Sequence, residues 1–174
     1  GNQIEALNNW NTLMKAATKS GRTFEQYVQR IYFDQILLMA NQRLTRMSSG
    51  RYALIQDPEK SFSLDVSDRH TGKVRSVKTL SGGESFMASL SLALGVSDVV
   101  QSMNGGIRID TIFIDEGFGS LDPDALEQAL AVLSELADDR QVGIISHVAS
   151  LKERIAGKIL VRREDRGSRL EVIA

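Results

Sequence analysis

The chain predicts an α/β fold, with a parallel sheet flanked by helices, helical segments ahead of it and a small β-hairpin at the end. Three observations carry this expectation. Residues 109–114 and 142–145 are short runs of β-branched and apolar residues, the composition of strands buried on both faces. Between them, Asp122-Pro123 reads as a helix cap followed by proline at the first helical position. The segment it opens carries Leu126, Leu130, Leu133 and Leu136 at helical spacing. Strand and helix alternate from residue 109 onward, which implies parallel pairing.

The elements follow in order. Ile4, Leu7, Trp10, Met14 and Ala17 form a helical stripe that Ser20-Gly21 breaks. Thr23 with Gln26 resembles a capping box. It opens a long helix with Val28, Tyr32, Ile36, Met39, Ala40, Leu44 and Met47 on one face, ending near Ser48-Ser49-Gly50. The period then changes. Phe62, Leu64 and Val66 alternate with polar residues as in a half-buried strand. Residues 68–72 have turn chemistry, and residues 74–78 return as a partner strand. A helix from Phe86 to about Met103 follows the Gly82-Gly83 pair and stops at Asn104-Gly105-Gly106. After residues 142–145 come Ser146-His147, a short helix and a hairpin turning at Asp165-Arg166-Gly167.

Composition narrows the function classes. The 174 residues, 42% of them apolar, suffice for one domain with a substantial core. There is no cysteine, which excludes disulfides and thiolate metal sites. The chain shows no run of 18 apolar residues and no leader-like N-terminus, so the expectation is a cytoplasmic protein without a membrane span. Gly1 in place of methionine suggests an excised fragment. The net charge of −1 conceals an uneven layout. Residues 43–78 and 152–169 each carry a surplus of 4 positive charges, whereas residues 109–140 carry a surplus of 8 negative ones. The acidic centre suits metal or nucleotide chemistry and the basic flanks suit phosphate, although a solvated charged surface gives the same pattern.

The chemistry-bearing residues each have two readings. Asp115 and Glu116 end the apolar strand at the edge where parallel sheets bind ligands. There, Asp115 can hold Mg²⁺ through water and Glu116 can polarise a water, or the pair merely caps a turn. Ser81-Gly82-Gly83 opens a helix, where backbone N–H groups and the helix dipole favour phosphate, or it is a plain turn with a serine cap. His147 follows a strand and can hydrogen-bond a phosphate, or it is a surface histidine. Asp122 is a helix cap and can also belong to a functional loop. No Gly-x-x-x-x-Gly-Lys-Ser/Thr phosphate loop occurs in the chain.

Taken together, Ser81-Gly-Gly-Glu84 at a helix start, strand-Asp115-Glu116, Leu121-Asp122 and strand-Ser146-His147 resemble the ABC-type ATPase heads over residues 79–147. The run Asp115-Glu-Gly-Phe-Gly-Ser-Leu-Asp122 differs from the Asp-Glu-Pro-Thr of transporters and the Asp-Glu-Val-Asp of SMC-type heads. It is similar to the SbcC family of DNA-repair ATPases, and the likeness covers almost the whole chain as the C-terminal half of a head.

That resemblance implies an ABC-type half-head. Residues 1–48 would be coiled-coil base helices and residues 49–174 the C-terminal lobe, with the phosphate loop on an N-terminal lobe beyond a long coiled coil. It further implies ATP and Mg²⁺ as cofactors and a site shared between two heads. Asp115 would serve the metal, Glu116 would be the base and His147 the γ-phosphate sensor. Ser81, Gly82, Gly83 and Glu84 would form a signature motif acting in trans, and Asp122 would lie in the interface loop. The implied partners are a second head, an SbcD-type nuclease near the arm base, and double-stranded DNA over the joined heads. Arg43, Arg46, Arg51, Lys73, Arg75 and Lys78 are candidates for DNA contact. An SMC- or RecN-type ATPase without a nuclease partner is the alternative.

Overall fold

The computed structural model describes residues 24–57, 63–103, 108–164 and 167–173. The expectations at residues 4–23, at Phe62, at residues 104–106 and at residues 165–166 fall outside them.

Helix α1 (Phe24–Met47) is about 36 Å long at 1.5 Å per residue. Leu37, Ala40, Leu44 and Met47 are its buried positions, three or four residues apart. Tyr32, expected on this stripe, is exposed: residues 25–36 contain no buried side chain, and the neighbouring Phe33 is the one that packs, partly buried, against the core. Ser49 and Gly50 end the helix in left-handed backbone (φ 49 and 83), and the Gly50 N–H donates to the Thr45 carbonyl at 2.6 Å. The Ser48 hydroxyl donates to Leu44 O and accepts from Tyr52 N, which steers the chain into the first strand.

Strands β1 (Tyr52–Gln56), β2 (Leu64–Asp68) and β3 (Lys73–Ser76) form an antiparallel meander with Tyr52 opposite Asp68 and Asp65 opposite Ser76. The alternation read in the sequence marks β2, and the strand runs on through Asp68 rather than turning there. The partner strand ends at Ser76, and Val77–Thr79 form a 3-10 turn in place of its expected continuation. β1 had no expectation of its own. It is an edge strand, and the Asn41 side chain on α1 occupies both backbone groups of Leu54, at 2.8 and 2.7 Å.

Helix α2 (Gly82–Ser102) starts at the glycine pair, four residues before the expected Phe86, because Ser81 caps it. It lies along α1, and Gly95 makes the close approach possible: a β-carbon there would come within 2.7 Å of Ile36 O.

Strands β4 (Thr111–Asp115) and β5 (Gln141–Ile145) pair in parallel, joined through helix α3 (Pro123–Ala137). The expectation of strands buried on both faces does not hold. Ile114 is buried and Ile112, Val142 and Ile144 pack against the core, but Phe113 is 73% exposed and Ile145 is exposed too. Among the described residues the parallel sheet has two strands, so one face meets the helices and the other stays open. Phe113 lies across Gly143, whose absent β-carbon would meet the ring at 2.5 Å. Helix α4 (Ala149–Arg154) and the antiparallel pair β6 (Lys158–Glu164) and β7 (Gly167–Ile173) complete the chain. One core cluster runs from α1 through β1, β2 and α2 to α3 and α4. No helix among the described residues is long and apolar enough to cross a membrane.

Candidate functional site

Because β4 and β5 are parallel neighbours with Asp115 opposite Ile145, the residues that follow them leave the sheet at one edge. Glu116 leaves β4 with φ 59, a left-handed conformation costly for a residue bearing a side chain, and its N–H donates to Ile145 O at 2.9 Å. His147 leaves β5 and faces it. Its Nδ1 lies 2.9 Å from Glu116 Oε2 and 3.3 Å from Oε1. An ionised carboxylate only accepts, so Nδ1 carries the shared hydrogen and Nε2 stays available. Both side chains are mostly exposed.

The loop from Glu116 to Asp122 is fixed along its length. Gly117 has φ 93, and a β-carbon there would run into the Phe86 ring. Phe118 is buried edge-on against Phe86, with centroids 4.9 Å apart. The 3-10 turn Phe118–Ser120 closes when Ser120 Oγ donates to Gly117 O at 2.6 Å. Asp122 Oδ1 then accepts from Ala125 N at 2.8 Å, so the expected cap on α3 is present.

At the head of α2, Ser81 and Glu84 form a reciprocal capping box. Glu84 N donates to Ser81 Oγ at 3.4 Å, and Ser81 N donates to Glu84 Oε2 at 2.9 Å. Since Ser81 Oγ accepts within the box, its own hydrogen is left to donate outward. Gly83 packs directly on the Glu116–Asp122 loop, since a β-carbon on it would sit 2.5 Å from Ser120 O. A cleft of about 300 Å³ is lined by Ser81, Gly83, Ser120 and Asp122 on one side and Ser48, Ser49 and Arg51 on the other. Glu116 and His147 are not part of its lining. The structure therefore sorts the sequence candidates into two clusters, Asp115–Glu116–His147 at the strand ends and Ser81–Gly82–Gly83–Asp122 at the helix starts, tied by one loop.

Glu84 faces inward. Tyr52 Oη donates to its Oε1, and Arg75 Nη2 donates to its Oε2 at 3.3 Å. Burial alone would raise the Glu84 carboxyl, but donation from Tyr52, Ser81 N and Arg75 outweighs it and the net shift is downward. Burial, with the Glu84 carboxylate beside it, pushes the Tyr52 hydroxyl up to about 12.

Four of the six basic residues expected to meet DNA have internal carboxylate partners. Arg43 pairs with Asp98 at 2.6 Å and Arg46 with Glu135 at 2.7 Å. Arg51 forks onto Asp68 at 3.0 and 3.2 Å, and Arg75 bonds Glu84 and Thr79. Lys73 and Lys78 are exposed and carry no ion pair among the described residues. Sequence reasoning missed Tyr52, Asp68 and Asp98. For Asp68 a signal existed: the run Asp68-Arg69-His70 forms an Asx turn, with His70 N donating to Asp68 Oδ1 at 3.0 Å.

Among the described residues no three acidic or histidine side chains cluster as a metal cage. A single carboxylate at a strand end, Asp115, matches how Mg²⁺ is held when phosphate oxygens and water complete its shell. The outward Ser81 hydroxyl and the glycine N–H groups at a helix start match an anionic phosphate.

A family model described as "SbcC/RAD50-like, Walker B motif" matches residues 53–135. The chain is 45% identical over 179 residues to the SbcC component of the SbcCD nuclease of Vibrio cholerae serotype O1, covering 98% of this chain and 18% of that protein. It is 52% identical over 139 residues to the protein of the same name from Staphylococcus epidermidis, covering 76% and 14% respectively. The chain thus spans less than a fifth of the length of these relatives. Its fold matches a chain from structural work on ATP-driven dimerization and DNA-stimulated activation of SMC ATPases, with a TM-score of 0.70 and 16% identity over 86% of this chain and 89% of that one.

Proposed function

This chain belongs to the SbcC family as the C-terminal lobe of its ATPase head, and we propose that it supplies half of a composite, Mg²⁺-dependent ATP-hydrolysing site. The observation that carries this reading is the contact between His147 Nδ1 and Glu116 at the edge of the parallel sheet. It pairs an exposed carboxylate, able to take a proton from water, with an imidazole that in its protonated form donates from both nitrogens, Nδ1 to Glu116 and Nε2 to a phosphate oxygen.

In this reading Asp115 holds Mg²⁺ through water, and the bound metal neutralises phosphate charge. Glu116 orients and deprotonates the attacking water, and the left-handed backbone at φ 59 keeps its carboxylate beside His147. Ser81, Gly82 and Gly83 donate hydrogen bonds to the γ-phosphate of a nucleotide held by a second head. Asp122 fixes the loop that packs on Gly83, so the two half-sites of one lobe move together. The triphosphate cradle comes from the N-terminal lobe of the same polypeptide. The open face of β4 and β5 around Phe113, with a trough of about 760 Å³, supports a further layer docking there.

The relatives' name points to a nuclease complex, and the family resemblance to the remaining partners. The lobe acts in a nuclease complex, with an SbcD-type nuclease docking near residues 4–48 as the coiled-coil base and residues 49–174 as the lobe proper. Double-stranded DNA crosses the paired heads in the cytoplasm, on the nucleoid. The Glu116→Gln substitution tests the core of this reading. In a full-length protein carrying both lobes, it is expected to lower kcat by about 10²–10⁴-fold with ATP binding retained. Hydrolysis at the unsubstituted rate rejects Glu116 as the base.

A further inference from the structure

Glu84 is the most heavily bonded carboxylate among those the sequence singled out, and it is half-buried in the wall of the cleft beside Ser81. One oxygen takes the Tyr52 hydroxyl, and the other takes Ser81 N at 2.9 Å and Arg75 Nη2 at 3.3 Å. Tyr52 is 3% exposed and starts β1, the strand that follows directly on α1. Two guanidiniums lie over its ring, Arg51 at 4.6 Å and Arg75 at 5.7 Å from the centroid. Arg75 is held in turn by the carbonyl and hydroxyl of Thr79, both at 2.8 Å. A capping box needs only Ser81 and Glu84. The additional donors cross from the antiparallel sheet to the helix start, and they determine where the Glu84 carboxylate sits and so where the Ser81 backbone and hydroxyl point.

Resting on the proposal that Ser81 and its glycines clamp the γ-phosphate in trans, we infer that Tyr52 and Arg75 are positioning residues for that clamp. They act through Glu84, which orients Ser81 and does not itself touch the nucleotide. Removing the Tyr52 hydroxyl takes away the one donor to Glu84 Oε1 among the described residues, so the carboxylate is held through Oε2 alone and the Ser81 donor loosens. It leaves untouched the other lobe's cradle, which binds ATP to a single head. The loss therefore falls on turnover and on ATP-driven head pairing, not on nucleotide affinity of the unpaired head.

The test uses the full-length protein carrying both lobes, unsubstituted and as Tyr52→Phe, Arg75→Gln and Ser81→Ala. Steady-state hydrolysis, single-head binding of a non-hydrolysable ATP analogue and thermal midpoint are measured on each. For Tyr52→Phe and Arg75→Gln, kcat is expected to fall about ten-fold, the value of one well-placed hydrogen bond in a transition state, with analogue binding unchanged. Unchanged kcat in Tyr52→Phe overturns the inference. So does a parallel loss of analogue binding, thermal midpoint and kcat, which marks a purely structural network. If Ser81→Ala hydrolyses as fast as the unsubstituted protein, the in-trans clamp itself is wrong, a failure distinct from the other two.

Discussion

Glu116 and Asp68 are both acidic, and their surroundings put them to opposite uses. Glu116 is exposed at a strand end beside a histidine, where a carboxylate can exchange protons with water. Asp68 is 2% exposed and fully bonded. The Arg51 fork, set against the cost of burial and helped by the backbone N–H of His70, lowers its pKa from 3.8 to about 2. A carboxylate whose folded pKa is depressed lends stability that is complete above the unfolded value and lost as pH falls through the folded one. Urea midpoints of the purified chain are thus expected to drop between about pH 4 and pH 2, and Asp68→Asn is expected to flatten that drop while lowering the midpoint at pH 7. An unaltered acid profile in the variant contradicts the assignment. The local features at this scale were legible in the sequence. Asp122 before Pro123, and Ser81 three residues before Glu84, are patterns spanning one helical turn. Tyr52 was not legible, because its partner Glu84 lies 32 residues away and no short pattern encodes the meeting.

Between elements, the decisive contacts join α1 to α2. Gly95 lets the two helices close, and Asp98 on α2 accepts from Arg43 of α1 at 2.6 Å and pairs with Arg140, just before β5, at 3.6 Å. Arg140 also bonds Ser97 Oγ at 2.9 Å. Asp98→Ala leaves two largely buried guanidiniums without their shared partner, and is expected to cost about 3 kcal/mol in denaturant unfolding. A cost below about 0.5 kcal/mol, typical of an exposed pair, contradicts this account. The basic surplus of residues 43–78 was visible in composition, but composition does not distinguish an arginine facing a ligand from one facing the core. The apolar run of β4 misled in the same way. Its residues are those of a strand with two covered faces, while one of those faces, at Phe113, is open in this chain.

At the scale of the molecule, the proposed function turns on where charge lies and on a site shared with another lobe. Arg43, Arg46, Arg51 and Arg75 each pair with a carboxylate, whereas Lys73 and Lys78 carry no ion pair among the described residues, so the proposed DNA contact is tested first on these two. Replacing both with Gln in the full-length protein is expected to reduce the slope of log affinity for duplex DNA against log salt by about two, irrespective of sequence. An unchanged slope removes them from the DNA interface. The two clusters of site residues, joined by the loop of residues 116–122, fit the proposal that the lobe contributes to two nucleotide sites.

ATP turnover by this chain, alone and mixed with the N-terminal lobe of its own protein, tests that claim most directly. The account predicts no magnesium-dependent phosphate release from the isolated chain and its appearance in the mixture. Sustained hydrolysis by the isolated chain as a monomer would contradict it.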